Sequence, residues 1–235
     1  MIKRFIPNLI TLGNLACGVL AVYAALWWRE PTVAALFICL GIFLDFFDGL
    51  SARALGVSSP LGKELDSLAD VVTSGVAPAA ILYCLTYDTF HHQSLTWLTA
   101  AFLLIPLFAA YRLAKFNIDT RQSHSFLGLP VPSQALVWVG LALSSHHGVL
   151  TEPMWGVLAV VAVSLLLDVL MVSDLPLFSL KFNFKDLSWR TNKVQYIFLA
   201  VCAVIIALLR DWSALSVIIL WYILLSLLTQ RKQHA

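Results

Sequence analysis

The chain has 235 residues, of which 60% are hydrophobic and 12% charged, and its formal net charge is +2 at pH 7. Soluble domains carry roughly 25% charged residues, so this composition, with a mean hydropathy of +0.86, excludes an ordinary soluble domain and indicates an integral membrane protein. The near-neutral balance points to no nucleic-acid partner; the cations are accounted for by membrane topology and by anionic lipid.

A helix needs roughly 20 apolar residues to cross the hydrocarbon core. Eight such runs follow one another, over 8–28, 32–53, 65–85, 95–115, 131–145, 154–172, 194–209 and 212–228. The third carries acids and the fifth is short. The pattern predicts an all-α, polytopic membrane helical bundle of about eight transmembrane helices, forming a single domain over 1–235 with no internal repeat. The first run follows Lys3 and Arg4, is too long for a signal-peptide core and lacks a small-residue cleavage site, so it is expected to remain as a spanning helix. With eight spans, Lys3, Arg4, Arg53, Lys63, Arg112, Lys115, Arg121, Lys181, Lys185, Arg190, Lys193, Arg231 and Lys232 fall at or near one side, and only Arg29 and Arg210 on the other. That asymmetry places both termini in the cytoplasm.

Ionisable groups at membrane depth are costly and mark functional paths, and the stretch 41–74 concentrates them. Gly41, Asp45, Asp48, Gly49 and Ala52 recur at helical spacing, so the second span carries carboxylates and small residues on one face while Phe43, Phe46 and Phe47 point elsewhere. After a break at Gly56, Ser58, Ser59 and Pro60, a further helix places Gly62, Asp66, Asp70 and Ser74 four residues apart along one face. Carboxylates converging in low dielectric repel by several kcal/mol unless a positive charge lies between them. All-oxygen ligation suits Mg²⁺ or Mn²⁺, and the lack of nearby His or Cys argues against zinc. Such an ion keeps positions for water and phosphate, so a phosphorylated ligand is expected. Arg53, at the end of the second span, offers a guanidinium fork to phosphate, or is a topological anchor. Gly49 and Ala52 leave room for a ligand to approach the backbone.

The segment from Asp45 to Asp70 reads Asp, two residues, Asp-Gly, two residues, Ala-Arg, eight residues, Gly, three residues, Asp, three residues, Asp. It resembles the motif of the CDP-alcohol phosphatidyltransferases at every defined position. The opening Ile6-Pro7-Asn8-Leu9-Ile10-Thr11-Leu12-Gly13-Asn14-Leu15 is similar to that family's first helix. The stretches Tyr111-Arg112-Leu113-Ala114-Lys115-Phe116-Asn117, Phe126-Leu127-Gly128-Leu129-Pro130-Val131-Pro132 and Met171-Val172-Ser173, with Lys181 downstream, resemble its phosphatidylserine synthase branch. Lys115 stands where that branch is expected to carry arginine, and Asp174 intrudes after Met-Val-Ser.

The resemblance implies the family's membrane fold, CDP-diacylglycerol as donor, L-serine as acceptor, a homodimer, and an active site at the cytoplasmic side of the cell membrane. It assigns metal to Asp45, Asp48, Asp66 and Asp70, and the general base to Asp70. Contacts to CDP-diacylglycerol fall on Asn8, Thr11, Gly49, Arg53 and Ser59. The serine carboxylate and further phosphate contacts fall on Arg112, Lys115 and Asn117. Rival readings keep the donor but take glycerol 3-phosphate, inositol phosphate or choline as acceptor, or make the chain a cation transporter.

Other polar residues are read more plainly. His91-His92 and His146-His147 are expected in outward loops as solvated side chains. Cys17, Cys39, Cys84 and Cys202 sit singly in spans, without CxxC spacing, and are read as apolar packing. Asp168 lies within the sixth span and needs a partner, on a neighbouring helix or at the site. Trp27, Trp28, Trp155, Trp189 and Trp212 fall near span ends, as interfacial anchors do.

Overall fold

A computed structural model describes residues 5–57, 59–92, 95–118, 128–175, 177 and 192–231. The helices in chain order are α1 Phe5–Trp28, α2 Pro31–Ala54, α3 Pro60–His92, α4 Thr96–Ile118, α5 Val131–Leu143, α6 Met154–Val172, α7 Lys193–Leu209 and α8 Ser213–Arg231. A single helical turn, Gly148–Thr151, leads into α6, and no strand occurs among the described residues. Helices α1 to α4 and α6 are long and apolar enough to cross a membrane, and α5, α7 and α8 are shorter apolar helices. The chain is a multi-pass membrane protein. Lys3, Arg4, Ser58, Arg121, Phe126, Leu127, Lys181, Lys185, Trp189, Arg190 and Lys232 lie outside the described residues.

Two helices depart from the expected lengths, in opposite directions. The 13 residues of α5 rise about 20 Å at 1.5 Å per residue, short of the roughly 30 Å hydrocarbon core. The fifth run, short already in the sequence, is therefore a helix that reaches about two thirds of the way across, packed inside the bundle through Gln134, Ala135, Trp138 and Val139. In contrast, α3 runs for 33 residues, about 50 Å. It begins about one turn before the predicted run of 65–85, which holds Asp66 and Asp70, and continues to His92 beyond it.

The start of α3 is set locally. Gly56 adopts φ +62° and turns the chain after α2, a conformation that costs glycine little. Ser59 caps the new helix, its Oγ accepting from the Gly62 N–H at 3.0 Å, and Pro60 occupies the first helical position. Immediately after Asp70 the helix widens into a π turn over Val71–Val76, a feature frequent at functional sites. It shifts the register of everything beyond it, so the regular spacing of Gly62, Asp66 and Asp70 does not carry through to Ser74.

Three helices meet at that turn. A methyl group on Gly18 of α1 would lie 2.5 Å from Thr73 Oγ1, and one on Gly41 of α2 would lie 2.5 Å from Thr73 Cγ2. Thr73 is fully buried, and its hydroxyl donates to the Asn14 carbonyl at 3.0 Å. Without a hydrophobic drive between helices in lipid, small residues that let backbones approach are what hold such contacts. Beside it, Ala21, Ala24, Ala34, Ala35, Ala77 and Ala135 form an alanine-rich core. Larger side chains, among them Phe90, Phe102, Leu129 and Met171, fill a second core on the α4 and α6 side. Phe43, Phe46 and Leu107 remain 57–63% exposed, as lipid-facing side chains should.

The far end of the bundle is tied by polar contacts. Arg29 pairs with Asp88 at 3.5 Å and lies 5.0 Å over the Tyr87 ring. Asp211, in the turn between α7 and α8, accepts from the hydroxyls of Ser144 and Ser145 and from the N–H groups of Ser145 and Ser213. Those donors, Ser144 foremost, hold its carboxyl well below the usual carboxylate range. His91 and His92 close α3 as helical residues, correcting the expected loop; His91 stacks on Tyr87 with ring centroids 5.5 Å apart. His146 and His147 do lie in a turn. The four cysteines are free thiols.

Replacing Gly41 by Val is expected to destabilise the protein by about 1–3 kcal/mol through overpacking, read as a lower thermal midpoint of the detergent-purified protein. An unchanged midpoint would show that the α1–α2–α3 contact has slack.

Candidate active site

The first turns of α1, the last turns of α2 and the start of α3 enclose a cleft of about 240 Å³. Pro7, Asn8 and Thr11 line it from α1, Asp48, Gly49 and Ala52 from α2, Val57 and Ser59 from the connection, and Gly62, Lys63 and Asp66 from α3. Small residues at 49, 52 and 62 create the space. A side chain at Gly62 would close it, since an added methyl group meets Asn8 Oδ1 and Ser59 Oγ, each at 3.1 Å.

Asp48 and Asp66 of the lining, with Asp45 beside them, bring one carboxylate oxygen each to within 4.8 Å of one another. Two unit charges about 4 Å apart repel by roughly 4 kcal/mol at an effective dielectric of 20, so three such groups call for a cation between them. Asp66 Oδ1 is buried with no hydrogen-bond partner, an oxygen open to a cation. The residues therefore fit a metal ion, and an all-carboxylate set suits a hard divalent cation. Asp48 is 7% exposed and is oriented by Thr11, whose hydroxyl lies 2.5 Å from Asp48 Oδ2.

Asp70 lies one turn further along α3 and is 9% exposed. It is not one of the three clustered acids; Asn14 Nδ2 donates to its Oδ1 at 3.3 Å. Of the expected donor contacts, Asn8, Thr11, Gly49 and Ser59 line the cleft. Arg53 does not, because it folds back along α2 with Nε donating to the Gly49 carbonyl at 3.0 Å.

The expected acceptor residues stand apart from the cleft wall. Arg112 is 5% exposed, its Nε has no partner, and its guanidinium lies 5.1 Å from the Phe116 ring centroid. Lys115 Nζ pairs with Asp174 at 2.8 Å and reaches the Val172 carbonyl at 3.3 Å. Asn117 donates from Nδ2 to Ser67 Oγ at 2.9 Å. The segment at Gly128 docks on the end of α6: the Gly128 N–H donates to the Leu175 carbonyl at 2.9 Å, and the Leu129 N–H to the Leu170 carbonyl at 3.0 Å. Gly128 has φ +74°, and a methyl group there would strike the carbonyls of Met171 and Ser173. The stretches that set this chain's branch resemblance thus touch one another. Asp168 finds a neighbouring helix, accepting from Gln134 Nε2 at 3.1 Å.

Two residues near the acids were not singled out from sequence. Asn14 lies three positions after Thr11, hence on the same face of α1, which was a readable signal. Lys63 lines the cleft yet was taken only as a topological charge.

Fold and cleft together define a polytopic membrane protein with a carboxylate-lined site at one end of its bundle. The CDP-alcohol phosphatidyltransferase family model matches residues 4–172, and the chain belongs to that family. Among its relatives, a CDP-diacylglycerol–serine O-phosphatidyltransferase of Bacillus subtilis is 39% identical over 141 residues, covering 60% of this chain and 77% of the relative. One of Helicobacter pylori is 32% identical over 226 residues, covering 93% and 87%. One of Saccharomyces cerevisiae is 38% identical over 128 residues, covering 51% and 44%.

Asp66→Asn is expected to weaken Mn²⁺ binding at least tenfold, measured by paramagnetic resonance titration, with helix content unchanged by circular dichroism. Wild-type affinity in the variant would mean that the cluster does not hold the ion.

Proposed function

We propose that this chain transfers the phosphatidyl group of CDP-diacylglycerol to L-serine, giving phosphatidylserine and CMP, at the cytoplasmic face of the cell membrane. The observation that carries the reading is the carboxylate cluster at a cleft walled by Asn8, Thr11, Gly49 and Ser59. Relatives named for this reaction support serine as acceptor. Asp45, Asp48 and Asp66 hold Mg²⁺ or Mn²⁺, with Asp70 completing the set. When bound, the ion neutralises charge on the diphosphate and on the departing CMP.

The chain's own residues do the rest. Asn8, Thr11, Gly49 and Ser59 position the nucleotide end of the donor, and Arg53 turns its free guanidinium nitrogens to the phosphates. The serine hydroxyl oxygen forms a bond to the lipid-linked phosphorus as the bond from that phosphorus to the CMP oxygen breaks. The hydroxyl proton passes to Asp70, whose Oδ1 is steadied by Asn14, leaving Oδ2 as the acceptor. Arg112 offers its unpartnered, buried guanidinium to the serine carboxylate, with Lys115 and Asn117 framing that approach. A homodimer is part of this reading.

Ion transport accounts for less. Among the described residues, five of the seven acids within the helices, Asp45, Asp48, Glu64, Asp66 and Asp70, gather at one end of α2 and α3; Asp88 pairs with Arg29 and Asp168 is bonded to Gln134. A conduction path spreads its charges through the depth of the membrane.

Purified protein given CDP-diacylglycerol and divalent metal should release CMP with labelled L-serine, and not with glycerol 3-phosphate, inositol phosphate or choline; product from another acceptor and none from serine would overturn the assignment. Asp70→Asn should lower kcat by about 10²- to 10⁴-fold while CDP-diacylglycerol binding persists, and wild-type turnover would remove it as the base. Arg112→Lys keeps the charge and loses the fork; it should raise the KM for serine, and an unchanged KM would take Arg112 out of the site.

A further inference from the structure

The geometry points to Lys63 as the cation that grips the donor's nucleotide diphosphate, a role that rests on the donor reading above. Among the described residues lining the cleft it is the one with a positive side chain. It stands three positions before Asp66, one turn along the same helix, so its stem leaves α3 on the side that carries the acid.

The charge balance calls for such a group. Three carboxylates and a diphosphate outweigh one divalent cation even with the guanidinium of Arg53, which is held to the Gly49 carbonyl through Nε. Phosphate bound with too little positive charge would meet the field of Asp48 and Asp66 directly.

Lys63 already has one partner. Its Nζ donates to the Asn117 carbonyl at 2.8 Å, next to the last residue of α4, where helix carbonyls lack internal partners and the helix dipole is negative. An ammonium has three donors, so this contact leaves two for phosphate oxygens, and the flexible stem allows both to be reached. Asn117 in turn donates to Ser67, so the residue whose carbonyl holds the lysine is itself fixed to α3. A purely structural role, closing the end of α4, would use the same contact and none of the cleft.

The two roles separate in kinetics. Lys63→Met should raise the KM for CDP-diacylglycerol and the inhibition constant of CMP about tenfold, the loss of a charge-assisted hydrogen bond, and the KM for L-serine by much less. Lys63→Arg should restore both. Ser67→Ala, which breaks the Asn117 clasp and leaves the ammonium in place, should stay within about twofold of wild type. The inference is overturned if Lys63→Met leaves donor KM and CMP inhibition unchanged, or if Ser67→Ala reproduces its effect. Failure of the donor reading looks different, because wild-type protein would then neither bind CMP nor release it from CDP-diacylglycerol.

Discussion

Three carboxylates within 4.8 Å push their helices apart, and everything else at this end of the protein follows from what opposes that push. The opposition comes from a contact with almost no slack. Thr73 is wedged between Gly18 and Gly41 so closely that a single added carbon would collide, and its hydroxyl is tied to the Asn14 backbone. Packing between helices in lipid is van der Waals contact and short hydrogen bonds, with no water to expel. A repulsive cluster therefore needs rigid backbone contact nearby. The π turn supplies it one residue after Asp70, by placing Thr73 in the crevice between α1 and α2.

Much of this was readable in the residues. Runs of apolar side chains located all eight helices, because the bilayer requires length and hydrophobicity and little else. Helical spacing put Asp45 and Asp48 on one face of α2 and Asp66 and Asp70 on one face of α3, and the bulky Phe43, Phe46 and Phe47 are indeed on the outside. The break between the helices was visible as Gly56 and Pro60, a left-handed turn and a first-turn proline.

What escaped the sequence depended on register or on distant partners. Nothing in Val71–Val76 announces a wide turn; it arises because Thr73 is accommodated by glycines some 30 to 55 positions earlier. That α5, whose shortness was legible, packs inside the bundle is likewise a tertiary matter, since an apolar run that stops short is sheltered by its neighbours. Arg112, Lys115 and Asn117 were grouped as one acceptor set on motif grounds. Side-chain geometry gives them three different environments: buried and unpartnered, paired with Asp174, and clasped to Ser67.

The residues of the family motif lie on α2 and α3 around the cleft, and the branch-like stretches lie on α4 and around the Gly128 segment at the end of α6. Asn117 bridges them, its amide on Ser67 and its carbonyl on Lys63, both on the acid-bearing turns of α3. A displacement of α4 on binding an acceptor would pull on the helix that carries Asp66 and Asp70. Conversely, phosphate taken up by the two remaining donors of Lys63 would be linked through the same ammonium to the end of α4. On the proposed reading, donor and acceptor ends of the site both act on α3. In this arrangement a catalytic carboxylate held by Asn14 on one side can be set by contacts made on the other.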